Sequence, residues 1–335
     1  MMCLAPWGDG LQPAETGWGV QSIMVSVQHV LRRRGAVGAL QLALALLLSC
    51  VAVEATPPFD TGFIGRTVVF LYNVGPDGKQ DVNSPVGTGF LVRIPHLHDD
   101  KATLVLVTAR HMFDPEWAHC PGKRNPTVLY ARVNSIPGSA ENVRYIRLTL
   151  SDGGRPAWFK HRRDDIDAAV ILFPATDEDL TKSDFRFLPA WRLPTKEELG
   201  KLSIGDDIVS AGMLIDLRRT TKNYPVFKFG KVSNILGEDI AIGCGGPVFN
   251  IEAWLIAVNL VPGNSGSPIF YYPPFGENAD VRSSGLDRLV LLGIQSASVV
   301  TSDVAYMTPA TYVFDIIEDM KLRDADLYRG KKITK

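Results

Sequence analysis

From Thr67 onward the chain is written as short β-branched and apolar runs cut by Gly, Pro, Asn and Asp. It lacks the long helical stretches that alternate with strands in a parallel α/β fold. This punctuation constrains the fold most, because many short strands leave sheet edges that must be paired or closed away. A first set of candidate strands covers residues 66–74, 86–94, 102–109, 126–133, 144–150 and 168–173. A polar, proline-containing stretch, 174–200, reads as a linker, and a second set covers 207–214, 226–235, 253–260, 267–272, 289–297 and 305–309. Six strands on each side predict an all-β chain of two six-stranded antiparallel β-barrels, since closure removes the edges. In "TPATYVFDIIEDMKL", Val313, Ile316, Ile317 and Met320 recur at helical spacing and predict a C-terminal amphipathic helix. The expected division is a leader over 1–55, a first barrel over 56–180, a second barrel with its helix over 181–325, and a solvated basic tail over 326–335.

The leader explains why the strand pattern starts late. Arg32, Arg33 and Arg34 precede an apolar segment from Ala36 to Leu48 that is too short to span a bilayer comfortably. Small residues follow, with a cleavage point after Ala55, which is the layout of a secretory signal and predicts a secreted or periplasmic protein. "LLSC", ending at Cys50, also resembles a bacterial lipoprotein signal, so a lipid anchor at Cys50 stays open beside a soluble processed form. Residues 1–23 read as neither signal nor domain, and Met24 stands where a signal could begin. Of four cysteines, Cys120 and Cys244 lie beyond the leader, and either one disulfide or two buried thiols fits them.

The mix of 46% hydrophobic and 21% charged residues is that of a globular protein, and a net charge of -1 offers no footprint for nucleic acid. No cofactor and no metal is expected. "HLHDD" (96–100) reads as a polar hairpin loop, and "GCGGP" (243–247) lacks the lysine and helix of a phosphate loop.

Three residues at strand ends carry the chemistry. A serine hydroxyl is a poor nucleophile at neutral pH, so it needs a base, a group that orients the base, and donors for the developing oxyanion. "LVTARHMF" supplies His111 at the end of an apolar strand, "RRDDIDAAVILF" supplies Asp167 at the start of another, and "VPGNSGSPIF" supplies Ser265 in a glycine turn. The N–H groups of Gly263 and Ser265 are the candidate oxyanion donors. Asp164 and Asp165 compete with Asp167, which is preferred because two alanines and a buried strand follow it directly. An α/β-hydrolase elbow is a poor fit, since Ser267 stands where its last glycine belongs and His111 precedes the serine.

"GTGFLV", "LVTARH", "DIDAAVILF", "GDDIVSAG" and "PGNSGSPIF" together resemble the chymotrypsin-like (trypsin-like) serine peptidases, especially the bacterial secreted branch. The resemblance runs from about Thr67 to about Glu318 and implies a cleft between two barrels with a His111, Asp167, Ser265 triad acting on a polypeptide. It also implies that "LLGIQSAS" (291–298) is the strand along which a substrate lies. Asn259, Ser296, Ala297 and Ser298 would then border the specificity pocket. Asn259 brings no carboxylate, so a preference for Lys or Arg is not expected, and Ala297 or Ser298 would narrow the pocket. Asn264, where many animal members carry aspartate, removes the partner for a newly cleaved N-terminus. A catalytically silent barrel protein that binds peptide or protein partners through the same cleft needs only the scaffold and is the alternative; Arg110, next to His111, and the "SAS" segment (296–298) are the features able to distort or close the pocket.

Overall fold

The computed structural model describes residues 60–96, 101–217, 220–243, 248–259, 261, 263–272, 290–298 and 303–323. The chain divides into two units, Met1–Thr56 and Pro57–Lys335, and every described residue belongs to the second. The leader, Cys50, Cys244 and the basic tail therefore lie outside the described residues, as does most of "HLHDD".

Helix α1 (Thr61–Thr67) opens the described chain where Asp60 caps it by accepting the Phe63 N–H at 2.8 Å. It leads into β1 (Val68–Val74), β2 (Gln80–Pro95), β3 (Ala102–Thr108), β4 (Val128–Asn134) and β5 (Val143–Thr149). A two-residue hairpin of β6 (Ser151–Asp152) and β7 (Arg155–Pro156) precedes β8 (Phe159–Lys160), β9 (Ala169–Leu172) and β10 (Leu188–Pro189). The hydrogen-bonded order of this sheet is β5-β4-β1-β2-β3-β9-β8, with β10 beside β2. Its backbone is thus the six expected strands, but two short strands raise it to eight and its path is open rather than closed. Register shifts after Leu71 and Tyr72 curl the sheet, and the edges fall on β5 and on the two-residue β8.

The stretch read as a linker is structured instead. Helices α2 (Asp177–Lys182) and α3 (Lys196–Leu199) each start with a capping box, Thr176 with Asp179 and Thr195 with Glu198. Because Leu188 and Pro189 pair with Val92 and Arg93, the first body extends past the expected boundary at 180.

The second body is a closed antiparallel barrel in the order β11-β12-β15-β18-β17-β16. Its strands are β11 (Asp207–Gly212), β12 (Val226–Asn234), β15 (Trp254–Ala257), β16 (Pro268–Tyr271), β17 (Leu291–Ser298) and β18 (Val304–Pro309). A separate hairpin, β13 (Ile240–Ile242) with β14 (Phe249–Ile251), was not foreseen. Helix α4 (Thr311–Arg323) closes the described chain and buries Val313, Ile316, Ile317 and Met320, the four positions its spacing marked.

Alternation along β1 explains how the bodies join. Val69 and Leu71 pack on one face with Leu91, Leu106, Leu129 and Leu148. Val68, Phe70 and Tyr72 face the other way, into a core shared with Val209, Phe270 and Ile294 of the barrel and Val313 and Ile316 of α4. The first sheet is therefore covered on both faces at its centre, and each such side chain contributes roughly 1.5–3 kcal/mol relative to exposure.

Candidate active site

Strand pairing brings the first two candidate residues together. β3 and β9 run antiparallel with Thr108 opposite Ala169, so the residues just after β3 and just before β9 meet at the same end. His111 lies in a 3-10 turn (Arg110–Met112) that follows β3. The Asp167 carboxylate accepts the His111 backbone N–H at 3.0 Å through Oδ1 and faces ring Nδ1 at 2.8 Å through Oδ2. A carboxylate only accepts, so Nδ1 carries the hydrogen and Nε2 is left as the acceptor. Asp167 is 1% exposed and the His111 side chain 18%, which puts the oriented ring at the surface and its orienting group beneath it.

The neighbouring charges are spent elsewhere. The Arg110 guanidinium is buried against Asp114 at 3.0 Å and Asp164 at 2.8 Å and lies over the Trp117 ring at 4.2 Å, so it holds the turn from behind. Hydrogen bonds from Lys160 and then Arg110 hold the Asp164 carboxyl below the usual range. Asp165 pairs with Arg163, whose guanidinium also reaches Glu252 at 2.5 Å and Asp239 at 3.8 Å. These three carboxylates cluster as a cation site would, and Arg163 already sits among them. Tyr312 of α4 donates to Glu252, and burial with that bond raises its phenol well above the ordinary value. The network ties the segment leading to Asp167 onto the barrel and α4.

The third candidate belongs to the barrel but rests on the first sheet. Gly263 and Gly266 have φ of +96° and +85°, which L side chains rarely adopt. Between them the Ser265 carbonyl accepts the Thr88 N–H at 2.8 Å. The Thr88 hydroxyl donates to the Gly263 carbonyl at 2.7 Å and accepts the Met213 N–H at 3.0 Å, while Thr108 Oγ1 donates to the Thr88 carbonyl at 2.7 Å. Asn264, 1% exposed, fixes the turn from inside. Its Nδ2 donates to the Met213 carbonyl at 3.0 Å and its Oδ1 accepts the Val261 N–H at 2.9 Å. A Cβ at Gly87 would stand 2.9 Å from the Ser265 carbonyl oxygen and 2.6 Å from Met112 Sδ, so the serine turn and the histidine turn flank one glycine. Among the described residues, neither Gly263 N–H nor Ser265 N–H donates a backbone hydrogen bond. No hydrogen bond joins His111 to Ser265; such contacts commonly tighten only when substrate is bound.

Close packing behind the serine makes a prediction. A Cβ on Gly266 would overlap the Thr88 carbonyl and Thr108 Oγ1 at a positive φ. Gly266→Ala is expected to destabilise the fold by about 3–5 kcal/mol, from backbone strain plus overpacking. Urea denaturation of the variant measures it, and an unchanged midpoint would contradict the seating described.

The expected pocket residues behave differently from one another. Asn259 is exposed and its carbonyl accepts the Lys228 ammonium at 2.7 Å. The Ser296 hydroxyl bonds Thr308 Oγ1 at 2.6 Å and is buried, so any contact of Ser296 with a bound chain is through its backbone. Ala297 is half-buried, and Ser298 pairs through its backbone with Ala305, its side chain lying outside the described residues. β16 pairs with β17 as far as Ile294, and the Gln295 carbonyl takes the Gly266 N–H at 2.8 Å; from Ser296 on, among the described residues, β17 has a ladder partner only in β18. Two cavities of about 710 and 390 Å³ are lined by Phe229, Lys231 and Tyr272 and by Leu199, Trp254 and Tyr312 respectively. Neither lining includes His111, Asp167 or Ser265. Cys120 is disulfide-bonded, with its partner outside the described residues.

An antiparallel sheet that presents His111 and Asp167, a closed six-stranded barrel that presents Ser265, and a C-terminal helix complete the architecture. The fold is chymotrypsin-like. Solved structures similar to this chain include two proteases and Deg5. The active form of the Rv3671c protease from M. tuberculosis is 14% identical, with TM-score 0.39 over 76% of this chain and 81% of that one. Deg5 is 15% identical, with TM-score 0.42 over 78% of this chain and 92% of that one. A catalytically inactive tobacco etch virus protease complexed with substrate is 16% identical, with TM-score 0.41 over 83% and 93%. No family model matches the chain, and no curated protein matches it.

Thr88 is the chymotrypsin-like scaffold's main residue that sequence reasoning passed over. Its signal was present in "GTGF", a small hydroxyl residue between two glycines in an otherwise apolar run. Lys228 was passed over too, although it stands between Phe227 and Phe229 in a strand whose alternation turns it inward.

Proposed function

We propose that the chain is a serine endopeptidase, and the observation that carries this reading is the Asp167–His111 pair at 2.8 Å beside a Ser265 turn seated on the same sheet. With Nδ1–H held by Asp167, His111 Nε2 takes the Ser265 proton as the hydroxyl attacks a peptide carbonyl, and later returns it to the leaving amine. Asp167 stabilises the imidazolium that forms in between. The Gly263 and Ser265 N–H groups, unspent on backbone acceptors among the described residues, receive the oxyanion. An extended polypeptide adds as a strand beside Ser296–Ser298, where β17 has no β16 partner among the described residues. The working site is secreted or periplasmic, as the leader pattern leads one to expect, with Cys50 as the residue that would anchor it.

A fluorophosphonate probe tests the proposal. Full-length protein is expected to gain one phosphonyl group, mapped by peptide mass spectrometry to Ser265. The missing Ser265–His111 hydrogen bond is what favours a silent, peptide-binding barrel, and absence of labelling would decide for it.

A further inference from the structure

Lys228 stands on β12 opposite Ser210 of β11, on the inward side of a strand whose next residue, Phe229, is 58% exposed. Its ammonium donates to the Asn259 carbonyl at 2.7 Å and lies 3.4 Å from Asn264 Oδ1. No carboxylate pairs with it among the described residues. Asp207 of β11 is paired with Lys231 at 2.7 Å, and Asp216, on the 3-10 turn that packs against Gly263, forms no ion pair with Lys228. Asn259, Val261, Gly263, Asn264 and Ser265 bring no charge of their own. A half-buried ammonium without a counterion is costly, and an apolar side chain would serve packing better. What the ammonium supplies here is a charged donor to the backbone that leads into the serine turn.

We propose that Lys228 is a positioning residue that, by holding Asn259 and Asn264, keeps the Gly263 and Ser265 N–H groups directed at an oxyanion. The proposal rests on the peptidase reading of Ser265 and adds how its turn is kept formed. Asn264 makes the arrangement possible. Its Oδ1 accepts both the Val261 N–H and the more distant ammonium, so one side chain passes the charge on to the turn. The cation is internal, so this turn needs no new N-terminus to complete it.

The arrangement carries a pH signature. Burial holds Lys228 below the ordinary lysine value of 10.5. In the window between its folded value and 10.5 the unfolded chain binds the proton more tightly, so rising pH there favours the folded state as far as this group is concerned. Loss of turnover across that window is therefore separable from unfolding.

The test compares wild type, Lys228→Met and Lys228→Arg by two readouts: fluorophosphonate labelling rate against pH, and hydrogen–deuterium exchange of the peptide spanning 259–266. Lys228→Met is expected to lose about 100-fold in labelling rate at neutral pH, with faster exchange in that peptide. Lys228→Arg is expected to restore most of the rate and to move the alkaline fall upward, because a guanidinium keeps its charge. Labelling, pH profile and exchange all equal to wild type in Lys228→Met would overturn the proposal. A wild type that is never labelled, yet whose 259–266 peptide loosens in Lys228→Met, would overturn the peptidase reading and leave the role of Lys228 standing.

Discussion

Ser265→Ala is expected to lower the turnover of a cleaved polypeptide by about a millionfold, leaving only what binding and the oxyanion donors provide. The fold should not change. The Ser265 carbonyl, not its side chain, holds the turn to Thr88, and the serine side chain makes no hydrogen bond within the described residues. An unaltered denaturation midpoint together with lost turnover is the expected pair of results. Turnover that survives in Ser265→Ala would end the nucleophile assignment.

Asp167→Asn should cost about ten-thousandfold in turnover number. An amide can still accept the His111 N–H, but the group facing Nδ1 is then able to donate, which favours the ring tautomer with its hydrogen on Nε2. That tautomer cannot take a proton from serine. KM should move little, because Asp167 is buried under the ring and would not touch substrate. Steady-state kinetics with one peptide separates the two parameters, and a loss confined to KM would argue that Asp167 only shapes the groove.

The strands of both bodies were legible because their alternation is dictated by burial. The six positions read from 66 to 173 and the six from 207 to 309 correspond to β1 to β5 with β9, and to the barrel. The closure of the first body was not legible, since β8 and β10 are two residues each and such strands have no period to detect. The hairpin of β13 and β14 escaped for the same reason. Helices α2 and α3 are too short for a hydrophobic stripe, yet "TDED" and "TKEE" are readable capping boxes. At the site, the strand that follows Asp167 turns its carboxylate to His111, while Asp164 and Asp165 turn to Arg110, Lys160 and Arg163. What one sequence hides is partnership across 175 positions, the separation of Thr88 from Gly263.

That partnership bears on how such a chain could be divided or duplicated. The hydroxyl that fixes the serine turn belongs to the other half of the molecule, so a copy of either half alone inherits an unsupported fragment of the machinery. Two polypeptides severed between Pro189 and Asp207 are each expected to lack the peptidase activity proposed above, and to show it only on reassembling.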